Sequence, residues 1–319
     1  MSHLFDGLQR SEFEHPGIDL STLSATWLLQ FPQHQTIAEP ATQFPFAFPA
    51  VPPPATAADS HVATEHPLND DRLDPFAKFQ SLQVLAPPQS RLVCLTDEES
   101  LAAEKFHFLG VRLRQLQQNR ILKKVLITST VAREGKSTVA ANLACTLARR
   151  TQQRILLLEG DLRASALTQM FGVGKIPGLC EWLQGERGPV TSIYYLEGPG
   201  FWILPAGSSP TNSLETLQSG RLPALMDQLT AWFDWIVIDS PPVLPLADTT
   251  IWMRLVDGIL LVTRQGTTEK QQLQRGLEVL DPTKLIGTLL NSSTNTAHSD
   301  YYRHYRPPTS SQPNGGSTK

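Results

Sequence analysis

A chain of 319 residues with 40% hydrophobic and 18% charged content can bury one core of about 200 residues and leave a long remainder. Its net charge of −3 is too small to argue for nucleic acid or a membrane surface as partner. Its three cysteines, Cys94, Cys145 and Cys180, have no metal-like spacing and read as buried thiols in a reducing compartment rather than a disulfide framework.

Residues 1–90 hold ten acids, three bases and twelve of the 25 prolines, densest between Phe44 and Pro54. Proline at this density removes backbone donors and holds φ near the polyproline value, so a disordered or extended arm is expected. A short amphipathic piece around Leu20–Leu29 stands out within it. The remainder, with twenty acids and twenty-four bases, carries the mild positive excess that suits a polyphosphate site. No run approaches the ~18 apolar residues of a spanning helix, and no basic segment leads into an apolar one at the N-terminus. A cytoplasmic protein is the expectation.

From Thr96 to Gln118 a helix is expected, opened by Thr96 or Asp97 ahead of Glu98 and Glu99, with Leu101, Phe106, Leu109, Leu113 and Leu116 on one face. Next, Val125 to Ile127 reads as a buried strand, and Ala140, Ala141, Leu143, Ala144, Leu147 and Ala148 fall at helical spacing. Between them, Gly135-Lys136-Ser137 has the chemistry of a phosphate loop. Loop amides and a helix N-terminus present donors to an anion, Lys136 reaches the β- and γ-phosphates, and the Ser137 hydroxyl sits on Mg²⁺. The pattern has Thr130 where glycine is usual, and Arg133 where a small residue lets backbone approach phosphate.

Ile155-Leu156-Leu157-Leu158 then runs into Glu159 and Asp161, as a buried strand does when it ends at a ligand-facing edge. The two acids, two residues apart, point to one side, where Mg²⁺ is their natural partner. Trp202 to Pro205 makes a short strand, and Leu222, Leu225, Met226, Leu229, Trp232 and Phe233 form a core-facing helical stripe after Pro223. Trp235 to Ile238 ends in Asp239, a type of acid that holds Mg²⁺ directly or through water in phosphate-loop enzymes, and Pro241-Pro242 turns the chain away. Gly258–Thr263 and Leu285–Asn291 complete six strands alternating with helices, which predicts a parallel, helix-covered sheet. The domain expected over 91–298 is followed by a polar tail, 299–319, with Tyr301, Tyr302 and Tyr305 lacking apolar neighbours.

The phosphate loop, the Leu-Leu-Leu-Glu-Gly-Asp-Leu-Arg and Trp-Ile-Val-Ile-Asp-Ser-Pro-Pro strand ends and the tyrosine-rich tail together resemble the bacterial tyrosine autokinases of capsule and exopolysaccharide biosynthesis, over roughly 91–305. The resemblance implies an α/β, three-layer P-loop fold with a mainly parallel sheet, related to the partitioning and division-site ATPases. It implies ATP and Mg²⁺ as cofactors and a nucleotide site of Thr130, Arg133, Glu134, Gly135, Lys136, Ser137 and Thr138. Ser137, Glu159 and Asp239 would serve the metal, with Asp239 at its outer side. Lys136 and Asp161 would be catalytic, Asp161 accepting the proton of the attacking tyrosine. Tyr301, Tyr302 and Tyr305 would be phosphoacceptors on a neighbouring copy, and a separate transmembrane co-polymerase would be the activator and membrane anchor.

Three departures from the family stand in this chain. Glu159 replaces the first Asp of the second motif, Ala132-Arg133 replaces Pro-Gly in the first, and the ring-forming Glu-x-x-Arg-x-x-Arg becomes Glu104, His107 and Gly110. Two other readings compete. A nucleotide-switched positioning ATPase would carry Lys at the place of Val131 and generally lacks a tyrosine tail. A catalytically weak ATP-binding adaptor is motivated by Glu159 and Arg133.

Overall fold

The protein is described here from a computed structural model covering residues 75–87, 90–149, 152–244 and 247–291. The amphipathic piece near Leu20–Leu29 and the three tail tyrosines lie outside these residues.

Eight strands form one sheet: β1 (Gln80–Gln83), β2 (Lys124–Ser129), β3 (Ile155–Glu159), β4 (Tyr194–Glu197), β5 (Phe201–Leu204), β6 (Trp235–Asp239), β7 (Gly258–Arg264) and β8 (Leu285–Asn291). Their spatial order is β1-β4-β5-β3-β6-β2-β7-β8. Six strands run parallel, while β4 pairs with β5 antiparallel and β1 follows β4. The six expected strands are all present, and β1 and β4 are additions. Gln80-Ser81-Leu82-Gln83 has no apolar run and is mostly exposed, held at the edge by backbone pairing to β4, by the contact of Gln83 with Glu197 and by Leu82 packing on the core. Together with the 3₁₀ turn Pro75–Lys78 it brings the folded unit back to residue 75, into the expected arm and ahead of the expected start at 91.

The strands' near-continuous apolar runs are explained by cover on both faces. On one face Val125, Ile127, Ile155, Leu157, Val237 and Leu260 pack under the helices Leu101–Asn119 and Lys136–Ala148. On the other, Leu126, Leu156, Leu158, Ile236, Ile238 and Leu261 pack under helices that include Leu222–Trp232 and Asp248–Leu255. Three layers result, as expected.

The first long helix begins later than its acids suggest. Val93–Thr96 is a separate turn, and Ser100 caps the helix by accepting from the Ala103 amide at 3.2 Å. Gly110, where the family carries a ring-forming arginine, faces inward: a Cβ there would meet Thr146 Cγ2 of the next helix at 3.0 Å. A side chain there would press on that methyl group. The three cysteines are buried and free. Among the described residues no helix is long and apolar enough to cross a membrane.

Candidate active site

The site lies at the carboxyl ends of β2, β3 and β6, adjacent central strands of the sheet. After β2 the chain loops through Thr130 to Gly135 and enters the helix at Lys136. Gly135 adopts φ 93°, the left-handed region that only glycine occupies freely, and a Cβ there would collide with the Asn291 side-chain amide. Arg133 is exposed and adopts φ 68° without that freedom.

Two braces shape the loop. Buried Glu134 accepts from the Val131 amide at 2.7 Å and from the Thr268 hydroxyl in the loop after β7. Burial pushes its pKa up, against these hydrogen bonds. Asn291, at the end of β8, donates its side-chain amide to the Glu134 carbonyl at 2.8 Å. Thr130, at the loop's start, is buried against Gly276, and its hydroxyl has no partner.

Opposite the loop stand the strand-tip acids. Lys136 Nζ lies 3.0 Å from Asp161 Oδ2, and both side chains are largely buried. Burial alone would lower the lysine's pKa, but the fields of Asp239, Asp161 and Glu159 outweigh it and hold the pKa above its usual value. Asp161 is fixed in turn by the amides of Arg163, at 3.3 Å, and Ala164, at 3.1 Å, both on Oδ1. Between the acids Gly160 is pinned, its amide donating to Asp239 O at 2.7 Å and its carbonyl accepting from Trp252 Nε1 at 3.3 Å.

Asp239 is fully buried and neither carboxylate oxygen has a hydrogen-bond partner among the described residues. Burial pushes its pKa up to about 7, against Lys136 and a nearby Ser137 hydroxyl that tempers the shift without reaching hydrogen-bond geometry. A buried carboxylate without a partner is costly, and a cation supplied from outside the chain is the usual remedy. Among the described residues no group of three or more His, Cys, Asp or Glu could hold a metal by itself. Mg²⁺ needs no such group, because it keeps waters and takes phosphate oxygens beside one or two protein ligands. Ser137 and Asp239 fit that role.

Glu159, expected as a third metal residue, has backbone partners. Its Cα neighbours that of Asp239 across the sheet, yet Oε1 accepts from the Leu167 amide at 2.7 Å and Oε2 from the Ala206 amide at 3.0 Å. Both carboxylate oxygens therefore carry a backbone donor. Pro241 and Pro242 also behave differently from expectation. The chain after β6 stays stitched to β2: Thr128 Oγ1 donates to Pro241 O at 2.8 Å and the Val243 amide to Ser129 O at 2.8 Å.

Lys136, Ser137, Asp161 and Asp239 thus converge, and Thr138 stands in the same helical turn. Asn291 and Thr268 were missed as loop braces. An asparagine closing an apolar strand was the only sign of the first, and the second gave none. The ensemble offers an ammonium, a helix N-terminus and loop amides for a polyphosphate, one unpartnered carboxylate for a cation, and a second carboxylate for a proton.

No family model matches the chain. It is 31% identical over 215 residues to the tyrosine-protein kinase YwqD of Bacillus subtilis, covering 67% of this chain and 90% of that one. Among solved structures, the chimerical protein CapA2B2 superposes with a TM-score of 0.60 at 26% identity, over 67% of this chain and 92% of that one. The kinase domain of the Escherichia coli tyrosine kinase ETK does so with a TM-score of 0.60 at 25% identity, over 63% and 79%.

Proposed function

The chain belongs to the bacterial tyrosine-protein kinases, and from that premise we propose that it transfers the γ-phosphoryl group of ATP to Tyr301, Tyr302 and Tyr305 of a neighbouring copy. The observation that carries the proposal is the convergence of Lys136 and Asp161 at 3.0 Å beside the unpartnered Asp239. Mg²⁺, when bound, would neutralise charge on the phosphates.

The chain's own residues would do the rest. Loop amides from Ala132 to Gly135 and the first amides of the following helix orient the polyphosphate, while the Val131 amide is held by Glu134. Lys136 and Asp161 neutralise each other at 3.0 Å, and a phosphate competes with Asp161 for the same ammonium. Asp161 Oδ2 is then the acceptor for the phenol proton, while the backbone amides on Oδ1 keep the carboxylate aimed. A phenol with pKa near ~10 needs little early deprotonation in a loose phosphoryl-transfer transition state, so positioning and charge neutralisation dominate.

Each transfer would add roughly −1.5 to −2 charges to a tail whose three tyrosines fall within five residues, so repulsion would loosen contacts between copies. Regulation of capsule or exopolysaccharide export through a separate transmembrane co-polymerase, which would also hold the kinase at the inner face of the membrane, follows from the family resemblance. Incubation with ATP and Mg²⁺ in the presence of that activator, followed by mass spectrometry, tests the proposal. Phosphate on the tail tyrosines is expected, with a loss of at least about 100-fold in Lys136→Met, the scale set by removing a main charge-stabilising donor. Absence of phosphate from all three tyrosines overturns it. The weak-adaptor alternative has support in Glu159 facing backbone, and tight ATP binding without transfer to a supplied tail would favour it.

A further inference from the structure

Glu159 is the one acid of the strand tips whose two oxygens are both taken by backbone. It projects from the end of β3, and its partners belong to two other segments. Leu167 N opens the short helix Leu167–Met170, and Ala206 N lies in the exit of β5, the strand beside β3. The carboxylate is fully buried, so both bonds form away from water. The segments so joined bracket the Asp161 turn: residues 160–166 run between Glu159 and Leu167, and Asp161 within them meets Lys136.

We propose that Glu159 is a positioning residue that ties the β3 tip, the start of helix Leu167–Met170 and the exit of β5 into one frame, and thereby presents Asp161 to Lys136. It does not ligate the metal. The replacement of the family's Asp by Glu supplies the reach: one methylene more lets a single carboxylate span two backbone donors 39 residues apart in the chain. Metal binding then falls to Ser137 and Asp239. The proposal rests on the kinase reading for its consequence in transfer, but the frame itself can be measured without it.

Two variants and one measurement on the unaltered chain test this. In Glu159→Gln one oxygen still accepts an amide, while the new amide nitrogen confronts the other donor. Tail phosphorylation should fall about 10- to 100-fold in kcat, the usual cost of losing a residue that orients a site. ATP affinity and the Mg²⁺ concentration giving half-maximal ATP binding should stay within about twofold. An increase of about tenfold or more in that Mg²⁺ concentration, or an unchanged kcat, overturns the proposal. Glu159→Asp, too short to reach both donors, should lose kcat similarly, and full activity in that variant also overturns it.

If the variants fail to fold, amide hydrogen exchange of the full-length wild-type chain decides. The Leu167 and Ala206 amides should be protected, equally so with and without MgATP. Loss of their protection on adding MgATP would mean that the carboxylate swings to the ion, and the proposal fails. A wild-type protein that binds ATP and transfers nothing would sink the kinase reading, while the exchange result would still stand or fall on its own.

Discussion

At the amino ends of the strands, Asp257 accepts from the Lys123 amide at 2.9 Å and the Lys124 amide at 2.8 Å and pairs with Lys124 Nζ at 3.4 Å. Asp234 accepts from the Arg154 amide at 2.8 Å, and the Arg154 guanidinium lies 4.0 Å above the Phe76 ring, among Phe79, Trp202 and Phe233. At the carboxyl ends of the same strands, Asp239 is buried with nothing on either oxygen, and Lys136 and Asp161 are held together in a crowd of acids. The first end pairs its acids, and what it leaves buried without a partner among the described residues includes the indole N–H groups of Trp202 and Trp235 and the side-chain oxygen of Gln153. The second buries a carboxylate, Asp239, that has no hydrogen bond among the described residues. The two ends of one sheet therefore differ in whether their acids are hydrogen-bonded.

The separation breaks most visibly at Asp239. Asp239→Asn removes a fully buried charge that has no hydrogen bond while keeping shape, so the variant without ligand should be more stable at pH 8, on the order of 2 kcal/mol, and should lose Mg²⁺-dependent nucleotide binding. The pH dependence has a definite sign. The pKa is about 7 folded against roughly 3.9 unfolded, so the folded state holds the extra proton between those values. The stability from this group is complete below about pH 4 and is lost as pH rises through 7. Thermal melts of both proteins from pH 5 to 8 should converge at the acid end and diverge at the alkaline end. Parallel curves, or a less stable variant at pH 8, would show that Asp239 is compensated after all.

Phe76 sharpens the comparison from the other end. Phe76→Ala removes edge-on contacts to Phe79, Trp202 and Phe233 together with the Arg154 cation–π contact. A cost of about 2 kcal/mol is expected, less than the roughly 3 to 5 of a fully enclosed ring because Phe76 is half-buried. That corresponds to a fall of about 4–8 °C in Tm for a domain of this size. ATP affinity, measured by titration calorimetry, should not change. A shift of more than about threefold in affinity would mean that the two ends are coupled through the sheet.

What could be read from the sequence follows the same division. Asp239 was legible because an apolar strand that stops at an acid is a local pattern, and the loop because strand, Gly-Lys-Ser and helix are contiguous. Asn291 was not legible as a brace, because its contact with Glu134 spans 157 positions and depends on β8 lying beside β7, itself beside β2. The backbone partners of Glu159 were not legible for a related reason. Spacing places it on the side of Asp161, but where its carboxylate goes is decided by amide donors eight and 47 positions away. The edge strand β1 escaped because its Gln-Ser-Leu-Gln composition carries no periodicity, and its ordering comes from β4 and from the Phe76 anchor just before it.

The smallest effect lies at Arg133, where stability and binding oppose each other in one residue. Its φ of 68° costs an L-residue about 1 kcal/mol that glycine would not incur, and its exposed side chain finds no ion pair among the described residues. Its cation stands on the loop that would receive a polyphosphate, where an exposed charge contributes about 0.5 to 1 kcal/mol at low salt. Arg133→Gly should therefore raise Tm by about 2–4 °C and weaken ATP binding about two- to fivefold. Arg133→Ala keeps the strained backbone and loses the charge, so it should weaken binding equally with no gain in Tm. If glycine and alanine gave the same Tm, the loop would carry no strain at this position, and if neither weakened ATP binding at low salt, the guanidinium would have no part in holding the phosphates.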